Sequence, residues 1–213
     1  MATSSPEIAP LTEFAVDRLL PPESTPGITL LEGGHLQVVV DGEMVVRLDA
    51  VAVIGDGLKS RRIARRIRGE SDEVTEGPLA ALEGRGAVIF PRRGGGLHVL
   101  RLRHDLAYFR ESALWAFESS LRWEHGLMPG TRGGEEVPLV RLGGDGLCAV
   151  HAGGSVVTIK VTPERPQRIA ADALIGWIGS VVVIAEGAAS LLRCEGEGAV
   201  LVELAGLPSS EGR

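Results

Sequence analysis

Cysteine is nearly absent: Cys148 and Cys194 are the only two in 213 residues. They have no CxxC spacing, which excludes a zinc knuckle and a disulfide framework and reads as two buried thiols in a reducing compartment. Aromatic residues make up only 4% of the chain. None lies in its most basic stretch, so the stacking platform that single-stranded nucleic acid ordinarily needs is missing there. No apolar run reaches the roughly 18 residues of a spanning helix. The opening MATSSPEIAPLTEF has acids and no apolar core, so a secretory signal is not expected and a bacterial-type cytoplasmic protein is.

Catalytic signatures are equally scarce. His35, His98, His104, His125 and His151 show no HxH pairing with a downstream Glu and His, which leaves a cupin-type metal site unsupported. There is no GxSxG elbow and no cysteine beside a base, so covalent catalysis has no candidate residue. The paired glycines of GRGAVIF and GDGLCAV lack a third glycine and a following helix, so a dinucleotide fingerprint fails. The expectation is a non-enzyme without metal or cofactor.

What the chain does have is glycine, 29 residues, together with 12 prolines, 44% hydrophobic and 23% charged residues. That combination suits a globular protein of many short strands joined by tight turns. Residues 78 to 120 also repeat at 138 to 180 with a constant offset of 60: Pro78, Leu79, Leu82, Gly84, Gly86, Gly94, Ala113, Leu114 and Ser120 meet Pro138, Leu139, Leu142, Gly144, Gly146, Gly154, Ala173, Leu174 and Ser180. A repeat of this length is one supersecondary unit copied. The predicted fold is all-β, a prism-like or sandwich-like arrangement of antiparallel strands built from internal repeats of about 60 residues.

Residues 1 to 26 hold five prolines and read as a flexible arm with one or two helical turns between Leu11 and Leu20. A single all-β repeat domain is expected over 27 to 206, and a disordered tail over 207 to 213. Within the domain, Leu36 to Val40 and Met44 to Leu48 flank Asp41-Gly42, the local signal for a hairpin. Ala113 to Glu124 predicts one strand with Trp115, Phe117, Leu121 and Trp123 on its buried parity and Glu118, Ser120, Arg122 and Glu124 on a wet one. Its copy, Leu174 to Ile184, is apolar on both parities and predicts a strand covered on both faces, either by this chain or by another subunit. An L-x-G-x-G start occurs at Leu82 to Gly86 and Leu142 to Gly146, and again at Cys194 to Gly198 with Cys in place of Leu. Glycine at alternate positions lets strands bend or bulge where they cross.

The order Gly69-Glu70-Ser71, then L-x-G-x-G-x-V at Leu82 to Val88, a glycine turn, a strand, the same unit at Leu142, and finally Glu195-Gly196-Glu197-Gly198-Ala199-Val200-Leu201 resembles the Altered Inheritance of Mitochondria 24 family. That family is grouped structurally with the tryptophan RNA-binding attenuation protein. The resemblance covers about residues 28 to 204. It implies a prism-like fold of three repeats that often assembles into oligomers, and it carries no catalytic residue over.

Two surfaces stand out. Lys59, Arg61, Arg62, Arg65, Arg66 and Arg68 place six positive charges in ten residues on a chain whose net charge is −6. They offer a polyanion site for nucleic acid or an anionic membrane, and the bland alternative is pairing with acids such as Glu70, Asp72 and Glu73. Leu174, Trp177, Val181, Val182 and Val183 form the expected oligomer interface. The expected function is a non-enzymatic oligomeric scaffold or interaction protein, with a second copy of the chain or an unidentified protein as partner. Its rivals are polyanion binding through the basic stretch and small-ligand sensing at subunit interfaces.

Overall fold

The computed structural model describes residues 10–20, 25–65, 75–128, 137–185 and 191–204. An exposed helix, α1 (Leu11–Val16), stands before the sheet and buries no side chain. The strands then follow as β1 (Gly27–Leu30), β2 (Leu36–Arg47), β3 (Val53–Ile54), β4 (Leu58–Arg65), β5 (Thr75–Phe90), β6 (Gly96–Arg110), β7 (Leu114–Glu118), β8 (Arg122–Leu127), β9 (Pro138–Ala152), β10 (Ser155–Val161), β11 (Gln167–Ala170), β12 (Leu174–Ala185) and β13 (Leu191–Leu204). After residue 30 the only helical pieces among the described residues are three short 3-10 turns, Leu48–Ala50, Glu111–Ala113 and Ala171–Ala173. The all-β expectation therefore holds, and every described strand pairing is antiparallel.

All thirteen strands belong to one sheet, with β10-β13-β12-β6-β9-β7-β2-β5-β3 as its main order. Three long strands carry the L-x-G-x-G sequences, and each is the middle of its own ladder. β5 lies between β2 and the pair β3 and β4; β9 lies between β6 and the pair β7 and β8; β13 lies between β12 and the pair β10 and β11. The glycines are required by close approach. A Cβ on Gly84 would sit 2.3 Å from the Gly57 carbonyl oxygen, and one on Gly196 2.2 Å from that of Ser180, and both glycines have φ above +100°.

Side chains from these ladders gather into three apolar clusters, typified by Leu36, Val38 and Phe90, by Phe109, Phe117 and Leu142, and by Leu174, Trp177 and Cys194. Burial of this kind contributes roughly 1.5–3 kcal/mol per large side chain.

Two local expectations need correcting. Asp41-Gly42 does not reverse the chain: β2 runs straight through it, with Asp41 opposite Arg85 and Gly42 opposite Gly84. The φ of +111° at Gly42 bends a continuous strand instead of closing a hairpin. The expected strand over Ala113 to Glu124 is broken at Ser119-Ser120 into β7 and β8. β7 is buried on both parities, Leu114 and Ala116 as fully as Trp115 and Phe117, because its side chains enter two different clusters, Trp115 and Ala116 the first and Leu114 and Phe117 the second.

Candidate functional surface

Two cavities lie along the outer side of β8 and β9 and share Glu124 and Arg141. The larger, about 510 Å³, is lined by His104, Asp105, Arg122 and Trp123 as well as the shared pair. The second, about 300 Å³, is lined by Tyr108, His125, Leu139, Trp177 and Val182. Glu124 and Arg141 face each other across the β8–β9 ladder and are joined by a charge-assisted hydrogen bond. That bond raises the Arg141 pKa above its ordinary value and makes the pair the ridge between the two hollows.

His104 is the only non-glycine among the described residues with positive φ, +60°. It sits at the bulge where β6 slips against β9 between Arg103 and Asp105. Its strained backbone is held from both ends of one carboxylate: the His104 amide donates to Asp145 Oδ1 at 3.1 Å and its Nε2 lies 3.1 Å from Asp145 Oδ2. The result is an exposed imidazole of fixed direction at the mouth of the larger cavity.

The floor of the smaller cavity is buried and polar in two places. His125 Nε2 stands 3.3 Å from Glu111 Oε1, both side chains almost fully buried, without the alignment of a hydrogen bond. Trp177 stacks on Tyr108 with ring centres 4.9 Å apart, and its buried indole N–H meets no acceptor among the described residues. The thiols are inert. Burial pushes Cys148 up to about 12, with the Glu118 carboxylate adding to the shift, and burial pushes Cys194 up to about 11. No group of three His, Cys, Asp or Glu among the described residues could hold a metal ion.

The expected interface is split by burial. Leu174, Trp177, Val181 and Val183 belong to the chain's own third cluster, and Val182 alone of the five is exposed, at 54%. Of the two kinds of cover expected for β12, the chain itself supplies one face only: its odd residues from Val181 point inward, whereas Ile178, Val182 and Ile184 on the other parity are 41%, 54% and 40% exposed. Hydrophobicity on both parities does not rank them, and packing of Trp177, Val181 and Val183 into the third cluster decides which one lies inside.

The basic stretch falls on β4, an outer strand paired to β5. Arg61 is 3.3 Å from both Glu43 and Glu83, so its charge is engaged by acids of β2 and β5. Lys59 lies opposite Glu83, Arg62 also has a partner, and Arg65 closes the strand. Arg66, Arg68, Glu70, Asp72 and Glu73 lie outside the described residues. Of the aromatic row, Trp115 and Phe117 are core and Trp123 lines the larger cavity. The His104–Asp145 contact and the His125–Glu111 pair were not singled out by sequence reasoning, because the first depends on the register of β6 against β9 and the second brings a 3-10 turn against β8, and neither makes a local motif.

A chain built from glycine-bent antiparallel ladders, with two cavities along β8 and β9 and an outward apolar parity on β12, belongs to the class of all-β proteins. Residues 29–208 match the family model described as Mitochondrial biogenesis AIM24, and the chain belongs to that family. No curated protein matches it. Seven solved chains do. Among them is the X-ray crystal structure of protein SPYM3_0169 from Streptococcus pyogenes, with a TM-score of 0.64, 10% sequence identity, and coverage of 84% of this chain and 93% of that one. At that identity the likeness shows the fold alone. No described helix is long and apolar enough to cross a membrane.

Proposed function

We propose that this chain is a non-enzymatic, cytoplasmic scaffold that self-associates through the outer face of β12. The observation that carries the reading is the stripe Ile178, Val182 and Ile184, exposed on a strand whose other parity is core. Exposed apolar side chains grouped on one strand face, here interrupted only by Ser180, favour burial against a partner. Arg193 and Glu195, the cross-strand neighbours of Ile184 and Val182, are ion-paired with each other, so they border the apolar positions with little net charge. Two inert, buried thiols fit a reducing compartment and a role without covalent chemistry.

Light scattering on the purified chain and on Val182→Glu tests the reading. An oligomer that dissociates in the variant while the β-type circular dichroism persists supports it. A monomer in both samples overturns it.

A second reading rests on the unpartnered Trp177 N–H beside the smaller cavity. A small, largely apolar ligand carrying one acceptor would satisfy it at the edge of the same face. Quenching or shift of tryptophan fluorescence on ligand addition, lost in Trp177→Phe, is the corresponding measurement.

A further inference from the structure

The three ladders are joined to one another at two junctions, β2 with β7 and β6 with β12. At the first, Val46 pairs with Ala116, Val45 with Phe117 and Met44 with Glu118. At the second, Phe109 pairs with Gly176, Tyr108 with Trp177 and Ala107 with Ile178. Counted from the first residues of the 3-10 turns, Leu48, Glu111 and Ala171, the registers are the same. Residues two, three and four before one turn meet residues five, six and seven after the next. Two junctions that share a register to the residue define a reusable joint.

Each end of the series leaves half of that joint open. After the first turn the corresponding residues are Val53, Ile54 and Gly55; before the third they are Ile169, Arg168 and Gln167. β3, which holds Val53 and Ile54, pairs only with β5 among the described strands, and β11 pairs only with β13. They stand at opposite ends of the sheet. Burial marks the vacancy on the first half. Ala116, Phe117, Gly176 and Trp177, the residues in this position at the two formed junctions, are buried, whereas Val53 and Ile54 are 56% and 42% exposed. An apolar strand edge left open in this way invites pairing with another chain.

We infer that β3 of one copy pairs antiparallel with β11 of a second copy in the register of the two internal junctions, Val53 against Ile169 and Ile54 against Arg168, so that copies join head to tail. The contact is heterologous and leaves a free half-joint at each end, so it propagates into a ring or a filament. It uses the strand edges and not the β12 face, and it stands or falls separately from the proposed function.

The test is disulfide trapping in the Val182→Glu background, which removes the β12 contact. Cys148 and Cys194 are buried and leave the introduced thiols to react. Ile54→Cys combined with Arg168→Cys is expected to give a ladder of dimers, trimers and larger species on a non-reducing gel under mild oxidation. Mixing the two single variants is expected to give the crossed dimer and nothing larger. Ile54→Cys with Ala170→Cys, two residues out of register and too far apart for a disulfide, is expected not to cross-link. A disulfide-closed monomer in the first variant, an equal yield from the shifted pair, or no cross-link at all would overturn the inference. The unaltered chain gives an independent readout: amide exchange at residues 52–55 and 167–170 is expected to slow by about tenfold or more as protein concentration rises. Exchange that ignores concentration counts against it.

Discussion

β8 and the second half of β12 flank their central strands in the same manner, one along β9 and the other along β13, yet they face solvent with opposite chemistry. Arg122 and Val182 each lie eleven residues past the start of a 3-10 turn, and Glu124 and Ile184 thirteen past it. On β8 those positions are charged, and Glu124 is tied to Arg141. On β12 they are apolar and open. The backbone is indifferent to this choice, since both ladders keep their antiparallel register. Fold and surface are therefore separable here: glycines and inward residues set the ladder, and the outward parity is free to become either a solvated face or an interface.

The widest gap between the two regions is expected in their tryptophans. Trp177 is buried in the third cluster and stacked on Tyr108, whereas Trp123 is half-buried at a cavity wall. Trp177→Ala is expected to cost about 3–5 kcal/mol in urea unfolding, in line with truncation of large buried aromatics, and Trp123→Ala less than half of that. Equal losses would mean that the β8 face is as much core as the β12 interior.

Next come the glycines of the central strands. Gly196→Ala would drive a Cβ to 2.2 Å from the Ser180 carbonyl oxygen, whereas a Cβ on Gly144 meets nothing nearer than the Ser120 oxygen at 4.0 Å. Both have positive φ, +104° and +113°, so both substitutions carry left-handed strain of about 1–2 kcal/mol. Only Gly196→Ala adds a backbone collision, and its thermal midpoint is expected to fall distinctly further. The β9 ladder is the looser of the two at this corner, and reversal of the order would refute that.

The thiols sharpen the comparison by pH. Burial lifts both thiols above their ordinary value of 9.0, Cys148 to about 12 and Cys194 to about 11. The folded state thus holds these protons more tightly than the unfolded chain. The stability this contributes is complete below pH 9 and is lost as pH rises toward those values. Neither thiol is expected to react with a thiol reagent at pH 8 until denaturant is added, and on raising the pH Cys194 is expected to react first. Rapid labelling of native protein at pH 8 would contradict the burial.

Much of the architecture was legible in the residues. Glycine-spaced turns and the three L-x-G-x-G stretches announce an all-β chain, and those stretches do fall on the three central strands. Asp41-Gly42 misled because a turn dipeptide and a strand-bending glycine look alike until Gly84 is placed opposite. β12 left a choice open, because a strand apolar on both parities does not say which side its own chain will cover. β3 is two residues long, too short to show any period, and the His104–Asp145 contact spans 41 positions and belongs to register alone. Local chemistry shows in sequence; contacts made by cross-strand pairing do not.

The smallest effects should come from exchanging the two outward faces. Glu124→Gln breaks an ion pair whose side chains are 56% and 44% exposed, and solvent screening limits such a pair to about 1 kcal/mol or less. The unfolding midpoint is therefore expected to move little. The converse change, Val182→Arg with Ile184→Glu, writes the β8 pattern onto β12. Both substituted positions are exposed, so the chain is expected to fold with nearly unchanged stability. Its association state, measured by sedimentation velocity at matched concentrations, is expected to drop. If stability collapsed instead, the outward parity of β12 would be part of the core, and the separation of ladder from surface would fail on that strand.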